Sequence, residues 1–299
     1  MDIPFLVEQI RRLRLALYQQ TNTTKLLTGK QLTWALQSRQ VERLADAEFS
    51  VYSQFGDDGI IQYLLQKIDI KNQIFIEFGV ENYNEANTRF LLENNNWSGL
   101  VIDADPVNVK AIRQSQNYWR HDLTAVCSFV SAENINQLIL DAGFQGEIGL
   151  LHIDIDGNDY WLWQAISAVR PTVVIVEYNS LFGVERSITV PYQADFVRHA
   201  KHSSGLYAGA SLKALHQLAV EKGYRFIGSN SAGNNAYFVL DEFAGSLPAL
   251  TCEQGYVAAK FREHRDEQGQ LTFTRGVDAI EAIRGMPVFN TQTQQLEAF

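Results

Sequence analysis

Four short apolar runs in this chain each end at or near a carboxylate, and that repetition restricts the fold more than any other feature. The runs are Gln73 to Phe78 with Glu77 beside its end, Gly99 to Ile102 closed by Asp103, Ile148 to Ile155 carrying Asp154, and Thr172 to Val176 followed by Glu177. Runs this short, rich in β-branched and aromatic residues, read as strands. Helical stretches lie between them: Ala86 to Asn94, a segment opened by Pro106, about Ala132 to Ala142, and Tyr160 to Ala168. Strand alternating with helix calls for βαβ units, a parallel sheet and a doubly wound α/β domain. A weaker strand falls in Leu123 to Val130. A helix over Ser211 to Lys222 stops at Gly223, as helices commonly do. Tyr224 to Gly228 and Ala236 to Leu240 then read as a closing hairpin, which adds an antiparallel strand to the sheet.

The segments outside this pattern divide the chain. Residues 1–48 are expected to form a helical extension, 49–240 the main domain, and 241–299 a C-terminal appendage with weak patterning. In the extension, Phe5, Leu6, Ile10, Leu13 and Leu17 recur near helical spacing with Arg11, Arg12 and Arg14 between them. Such a face packs on the main domain or on a partner subunit, so a homo-oligomer through this helix or the C-terminal segment is one expectation. A basic helix lying on a membrane surface is the weaker alternative. Residues 179–210 form a long connection without clear period, which in a compact domain points to a functional loop.

Composition narrows the partners. The formal net charge of −9 over 299 residues disfavours nucleic acid, which needs a basic stripe along its phosphates. The two cysteines, Cys127 and Cys252, form no CxxC and no Cys/His cluster, so neither a disulfide framework nor structural zinc is expected. The first residues lack the basic start and long apolar middle of a secretory signal, and no stretch reaches the roughly 20 apolar residues of a membrane span. A cytoplasmic setting follows as the expectation.

In open α/β sheets, ligands bind beyond the carboxyl ends of the strands, where the strand order reverses. Glu77, Asp103, Asp154, Asp156 and Glu177 are therefore the residues to follow, although a carboxylate at a strand end also caps helices. Ile76-Glu77-Phe78-Gly79 allows a sharp turn and a close backbone approach at Gly79. The glycines of GxGxxG are missing, which counts against a pyrophosphate cradle. An acid here suits a cationic ligand such as S-adenosylmethionine, from whose ammonium Glu77 would accept directly or through water. Asp103, about 25 residues on, stands where an acid accepts both hydroxyls of a ribose. Asp154 and Asp156 alternate onto one face of a strand, and Glu177 ends the next. Three acids that close require a raised pKa or a cation between them. Mg²⁺ or another hard divalent ion is the natural occupant, with Asn179 a neutral ligand. The competing reading makes Asp156 or Asn158 the cap of the helix at Tyr160. His152 reads as a core histidine. His199 and His202 are candidate general bases beside the long connection, or simply solvated loop residues.

Several of these segments together resemble the FkbM-like branch of the S-adenosylmethionine-dependent methyltransferases. They are Ser53-Gln54-Phe55-Gly56-Asp57-Asp58-Gly59, Ile76 to Val80, Trp97 to Leu100, Ile153 to Tyr160 and Val176 to Asn179, within roughly residues 50–240. The resemblance implies a mostly parallel seven-stranded sheet with an antiparallel last strand. It implies that Glu77 and Gly79 line the methionine part of the donor with Asn82 in the cofactor turn, that Asp103 holds its ribose, and that Ser131 to Asn134, Ala132 among them, border its adenine. Ser53 and Gln54 would lie over the cofactor from the N-terminal side, and Asp154 is a further candidate for cofactor binding. The stretch from Asp154 to Tyr160 is also similar, more distantly, to the metal-bearing strand end of the macrocin-type sugar O-methyltransferases. Asn82-Tyr83 departs from the Asp-Gly of many relatives, and Asp156-Gly157-Asn158 from their Glu-Gly-Ala.

The expected activity is methyl transfer to a hydroxyl of a small acceptor, such as a sugar, with Asp154, His199 or His202 in the chemistry. Two other classes compete. One is a catalytically silent protein with this fold that serves assembly; the other is a metal-dependent enzyme that uses the carboxylates without S-adenosylmethionine.

Overall fold

The computed structural model describes residues 3–299. Met1 and Asp2, the start of the expected extension, lie outside the described residues. Ten strands occur among the rest: β1 (Ile74–Phe78), β2 (Ser98–Asp103), β3 (Leu123–Cys127), β4 (Gly146–Ile153), β5 (Val169–Glu177), β6 (Ile188–Thr189), β7 (Tyr224–Ser229), β8 (Asn235–Leu240), β9 (Pro287–Asn290) and β10 (Gln295–Ala298).

Seven of them form one sheet in the order β3-β2-β1-β4-β5-β8-β7. The first five run parallel, and β8 lies antiparallel to both β5 and β7. This is the mostly parallel, doubly wound sheet that the alternating pattern and the resemblance implied. The pleat shows why both faces are apolar. Ile76 and Phe78 of β1, and Val174 and Val176 of β5, enter one core cluster. Phe75 of β1, and Val173 and Ile175 of β5, enter the cluster on the opposite face. Successive side chains of a strand point to opposite sides. A sheet with helices on both sides needs both sets to be apolar.

Helices over Asp57–Lys67, Arg89–Asn95, Pro106–Gln114, Ile135–Asp141, Asp159–Ala165 and Leu212–Glu221 connect and cover the strands. Asp105 caps the helix opened by Pro106, its carboxylate accepting from the Val107 amide. The N-terminal helix, Ile3–Leu36, buries only Gly29 and Leu36. Gly29 sits against the Val51 and Phe90 side chains.

The long connection has more structure than its sequence suggested, and the C-terminal segment closes on it. β6 pairs with β9, and β9 with β10, in a separate three-stranded sheet. Ile188 and Val190 from the connection share an apolar cluster with Ile283 and Val288 from the C-terminal segment. Among the described residues no helix is long and apolar enough to cross a membrane.

Candidate active site

A cavity of about 580 Å³ opens along the carboxyl ends of β2, β1, β4 and β5. It spans the β1/β4 boundary, where the strand order reverses and α/β sheets bind ligands. Asp103 and Ser128 to Val130 line one end. Gly79, Glu81 and Asp154 form the middle. Glu177, Asn235 and Arg198 stand at the other end, with Phe261 and Glu263 from the C-terminal segment. Of the residues read from the sequence, Gln54, Glu77, Gly79, Asp103, Asp154, Asp156 and Glu177 reach this space.

The geometry at Gly79 follows from how β1 meets β4. Gly79 has φ +72°, and a Cβ there would stand 1.9 Å from the carbonyl oxygen of Asp154. The expected approach at this glycine is to a ligand; the close approach it makes is to the end of β4. It draws the Glu77 and Asp154 strand ends together.

Glu77 is buried and fully engaged. Its Oε1 accepts from the Asn87 amide and from His152 Nδ1, each at 2.9 Å. Its Oε2 accepts from the Thr88 amide at 3.0 Å and from the Thr88 hydroxyl. Burial acts to raise this carboxyl; His152 and the Thr88 and Asn87 donors outweigh it and hold the carboxyl below its ordinary range. His152 is buried too, which acts to lower its pKa, yet Glu77 raises it above the ordinary histidine value. The pair fixes the 86–88 loop beneath the cavity. Glu77 therefore positions this wall instead of offering free lone pairs to an ammonium, a correction to its expected role.

Asp103 keeps its place at the end of β2. Oδ2 accepts from the Glu81 amide at 2.8 Å, and Oδ1 from the Asp105 amide and Asn108 Nδ2. These bonds fix the carboxylate at the cavity wall.

The acid cluster forms, by a different route from the one expected. β4 ends at Ile153, and Asp156 lies in a left-handed turn with φ +56°. The turn, and not strand alternation, brings Asp156 to Asp154. One oxygen each from Asp154, Asp156 and Glu177 lie within 4.8 Å of one another. β4 and β5 are adjacent, with Ile153 opposite Val176, which sets Glu177 beside the Asp154 end. Burial, then the charge of Asp156, pushes Asp154 up to about 7. Burial, then the charge of Asp154, raises Glu177 well above the usual range. Like charges brought so close hold a proton or a cation.

Arg198 approaches this cluster as well. Its guanidinium donates to Asp156 at 2.6 Å and stands 3.5 Å from Glu263, while Nε donates to the Gly205 carbonyl. Arg198 begins the short helix Arg198–Lys201, and neighbours on a helix point about 100° apart. His199 is consequently exposed and does not line the cavity. His202 is turned to Ser204, 2.7 Å from its hydroxyl. Neither histidine stands where a general base for this cavity would be.

Four other expected positions lie off the cavity wall. Ser53 donates from its amide and hydroxyl to Asp58 Oδ2, closing a buried turn. Asn82 accepts from the Asn84 amide within its own exposed loop. The Ser131 amide donates to Asn134 Oδ1, and the Ala132 amide to the Tyr192 hydroxyl. The wall after β3 is made instead by Ser128, Phe129 and Val130. Asn179 does not line this cavity either. Its amide donates to the Leu206 and Ala208 carbonyls, and its oxygen accepts from Leu181. It caps the turn over Ser180–Phe182.

Sequence reasoning passed over several residues the structure brings in. Asp57, buried at the start of its helix, accepts from Asn235 Nδ2 at 3.0 Å and from the Tyr237 hydroxyl. Asp159, not Asp156 or Asn158, ties down the turn after β4. Its two oxygens accept from the Ile155 and Gly157 amides at 2.9 and 3.0 Å. Phe55 and Phe261 stack with centroids 5.8 Å apart at the cavity wall. Finally, Asn158 and Asn235 line the cavity, and each has a buried side-chain oxygen without a hydrogen-bond partner. Buried acceptors left open are rare and point to something that normally fills them.

No protein-family model and no curated protein sequence matches the chain. Among solved structures, it is similar to an S-adenosylmethionine-dependent methyltransferase from Clostridium acetobutylicum ATCC 824. That match has 10% identity and a TM-score of 0.40, over 62% of this chain and 90% of that one. It is also similar to an O-methyltransferase from Bacillus cereus in complex with SAH, at 14% identity and TM-score 0.40, over 73% and 91% of the two chains. A third is the N-terminal domain of EvdMO1 with SAH bound, at 10% identity and TM-score 0.36, over 56% and 72%. The structural neighbours are thus methyltransferases of low identity. Similarity at this level carries neither reaction nor substrate to this chain.

Proposed function

We propose that this protein transfers a methyl group from S-adenosylmethionine to a hydroxyl of a small hydroxylated acceptor, with a divalent cation at Asp154, Asp156 and Glu177. One observation carries the reading. A single cavity across the β1/β4 boundary joins a carboxylate suited to a ribose, Asp103, to a cluster of three carboxylates suited to cations. With Glu77 engaged by its own loop, Asp154 is the carboxylate facing the middle of the cavity, where a sulfonium and ammonium would be held. The adenosine end would lie toward Asp103 and Ser128 to Val130.

The residues fit a hard divalent ion on two counts. The donors are oxygens, as Mg²⁺ and Ca²⁺ prefer. Asn158 and Asn235 of the same cavity wall each keep a buried side-chain oxygen without a partner, a second sign that something further belongs in this site. When bound, such an ion lowers the pKa of an acceptor hydroxyl and orients it. The rest belongs to the protein. The acceptor oxygen would bond to the methyl carbon as the carbon–sulfur bond breaks, leaving the donor a neutral thioether, and the hydroxyl proton would pass to a carboxylate oxygen of the cluster that is not bound to the ion. Alignment of the three reacting atoms supplies most of the rate, as much as roughly 7–11 kcal/mol of the barrier. The stacked Phe55 and Phe261 offer a flat apolar wall for an acceptor ring, such as a sugar, beside the acids. The finer likeness to the FkbM-like branch rests on the sequence motifs alone.

Co-crystallisation with S-adenosylhomocysteine and Mg²⁺ tests the reading. We expect the nucleoside against Asp103 and an ion among Asp154, Asp156 and Glu177. A silent scaffold would bind neither. A metal-dependent enzyme of another class would bind the ion and leave the nucleoside end empty.

A further inference from the structure

The first half of the N-terminal helix has no partner within its own chain. Contacts with the body begin at Tyr18, whose hydroxyl donates to Asn84, and continue through Lys25 over the Tyr52 ring and Gly29 against Val51 and Phe90. Every residue from Ile3 to Gln20 is exposed. Ile3, Phe5, Leu6, Val7, Ile10, Leu13, Leu15 and Leu17 are each 44–74% exposed. Residues 3–17 make a rod about 22 Å long.

The order of its apolar residues says what covers it. Ile3, Leu6, Ile10, Leu13 and Leu17 follow one another at steps of 3, 4, 3 and 4. That is the spacing of the two seam positions of a coiled coil, with isoleucine and then leucine alternating over the first four. β-branched residues at the first seam position and leucine at the second favour two parallel strands. The flanking positions agree, because Gln9 of one helix would face Arg14 of the other, so no like charges meet across the seam.

We propose that two copies of this chain associate through a parallel coiled coil of residues 3–17, with Ile3, Leu6, Ile10, Leu13 and Leu17 at the seam. At roughly 100 Å² per large aliphatic side chain, the ten seam residues of two copies bury on the order of 1,000 Å², the lower bound for a specific interface. The stem needs no separate nucleation, because the same helix is already anchored to the body from Tyr18 to Leu36. A membrane surface is the poorer occupant. A helix lying in a lipid interface segregates basic from apolar residues. Here Phe5 and Leu15 fall on the same side of the helix as Arg11 and Arg12, opposite the seam. The proposal is independent of the reaction assigned above.

Sedimentation equilibrium of the full chain at micromolar concentration, without lipid, tests it. We expect twice the monomer mass for the unaltered protein. Ile10→Asp and Leu13→Asp should each weaken the dimer at least a hundredfold while the thermal unfolding profile of the body is kept. Leu15→Asp, on the far side, should leave the dimer within about threefold of its original affinity. In a Cys127→Ser background, Leu6→Cys should oxidise to a disulfide-linked dimer, since a parallel seam sets Leu6 against its own copy. A monomeric unaltered protein overturns the proposal. So does a dimer indifferent to Ile10→Asp, or a monomer that sediments with phosphatidylserine vesicles through the same five residues.

Discussion

His152 Nδ1 lies 2.9 Å from Glu77 Oε1, with both side chains nearly inaccessible beneath the cavity floor. Their strands are neighbours and the two residues are directly paired in the β1/β4 ladder. Removing one partner leaves the other buried and uncompensated, so Glu77→Ala should destabilise the fold by about 3–5 kcal/mol. Denaturant titration gives the number. Loss of donor binding without loss of stability would show that Glu77 acts on the ligand directly.

The same pair sets a pH window. Glu77 titrates below its ordinary 4.5, so its contribution is present above 4.5 and is lost as pH falls through the folded value. His152 titrates above its ordinary 6.5, so its contribution is complete below 6.5 and is lost as pH rises through the folded value. The pair therefore contributes most between 4.5 and 6.5. Comparing the unfolding free energy of the unaltered protein with that of His152→Gln across this range should show a difference that shrinks on both sides. A difference that does not vary with pH would contradict it.

Gly79→Ala should be more harmful than a methyl group suggests. The position has a left-handed backbone, and the added carbon would meet the Asp154 carbonyl. A loss of more than about 1 kcal/mol is expected from the backbone alone. The displaced β4 end should also weaken the binding of a divalent cation, measured by calorimetry. An unchanged affinity would mean the two strand ends are not coupled.

At Asp154 the sign reverses. Burial and Asp156 push its carboxyl up to about 7 from an ordinary 3.8. Ionisation therefore opposes folding, and stability falls as pH rises from 3.8 through 7. Asp154→Asn should raise the melting temperature at pH 8 in chelator by about 2–4 °C or more. It should also abolish the further rise that millimolar Mg²⁺ or Mn²⁺ gives the unaltered protein. A variant that still responds to the ion would remove Asp154 from the ligand set.

The strand ends were legible because a parallel strand between two layers must be apolar throughout, and a polar residue then marks where it leaves the core. What lay between the ends was not. Whether Glu77 faces a ligand or its own loop depends on Thr88 and His152, which reach it through the tertiary fold. The turn after β4 hid its cap, because Asp159 folds back on two amides of its own loop and three nearby residues have similar side chains. The long connection showed no period because its one strand, β6, is two residues long and pairs with β9, a hundred residues away, and through a single bridge with Ala210. Arg198 and His199 could not be told apart without the helix phase. Phe261 and Glu263 carry no local signal; only the closing of the C-terminal segment over the sheet brings them to the site.

Capture of an adenosyl donor by its ribose at Asp103 is the interaction on which the proposed function of this cavity depends most. Isothermal titration with S-adenosylhomocysteine tests it directly, on the unaltered protein and on Asp103→Ala. Charge-assisted hydrogen bonds of about 1.5–3 kcal/mol correspond to an affinity about 10–100-fold weaker in the variant. Saturable one-to-one binding that weakens by this factor is the expected result. No binding at millimolar ligand, or equal affinity in both proteins, would contradict it.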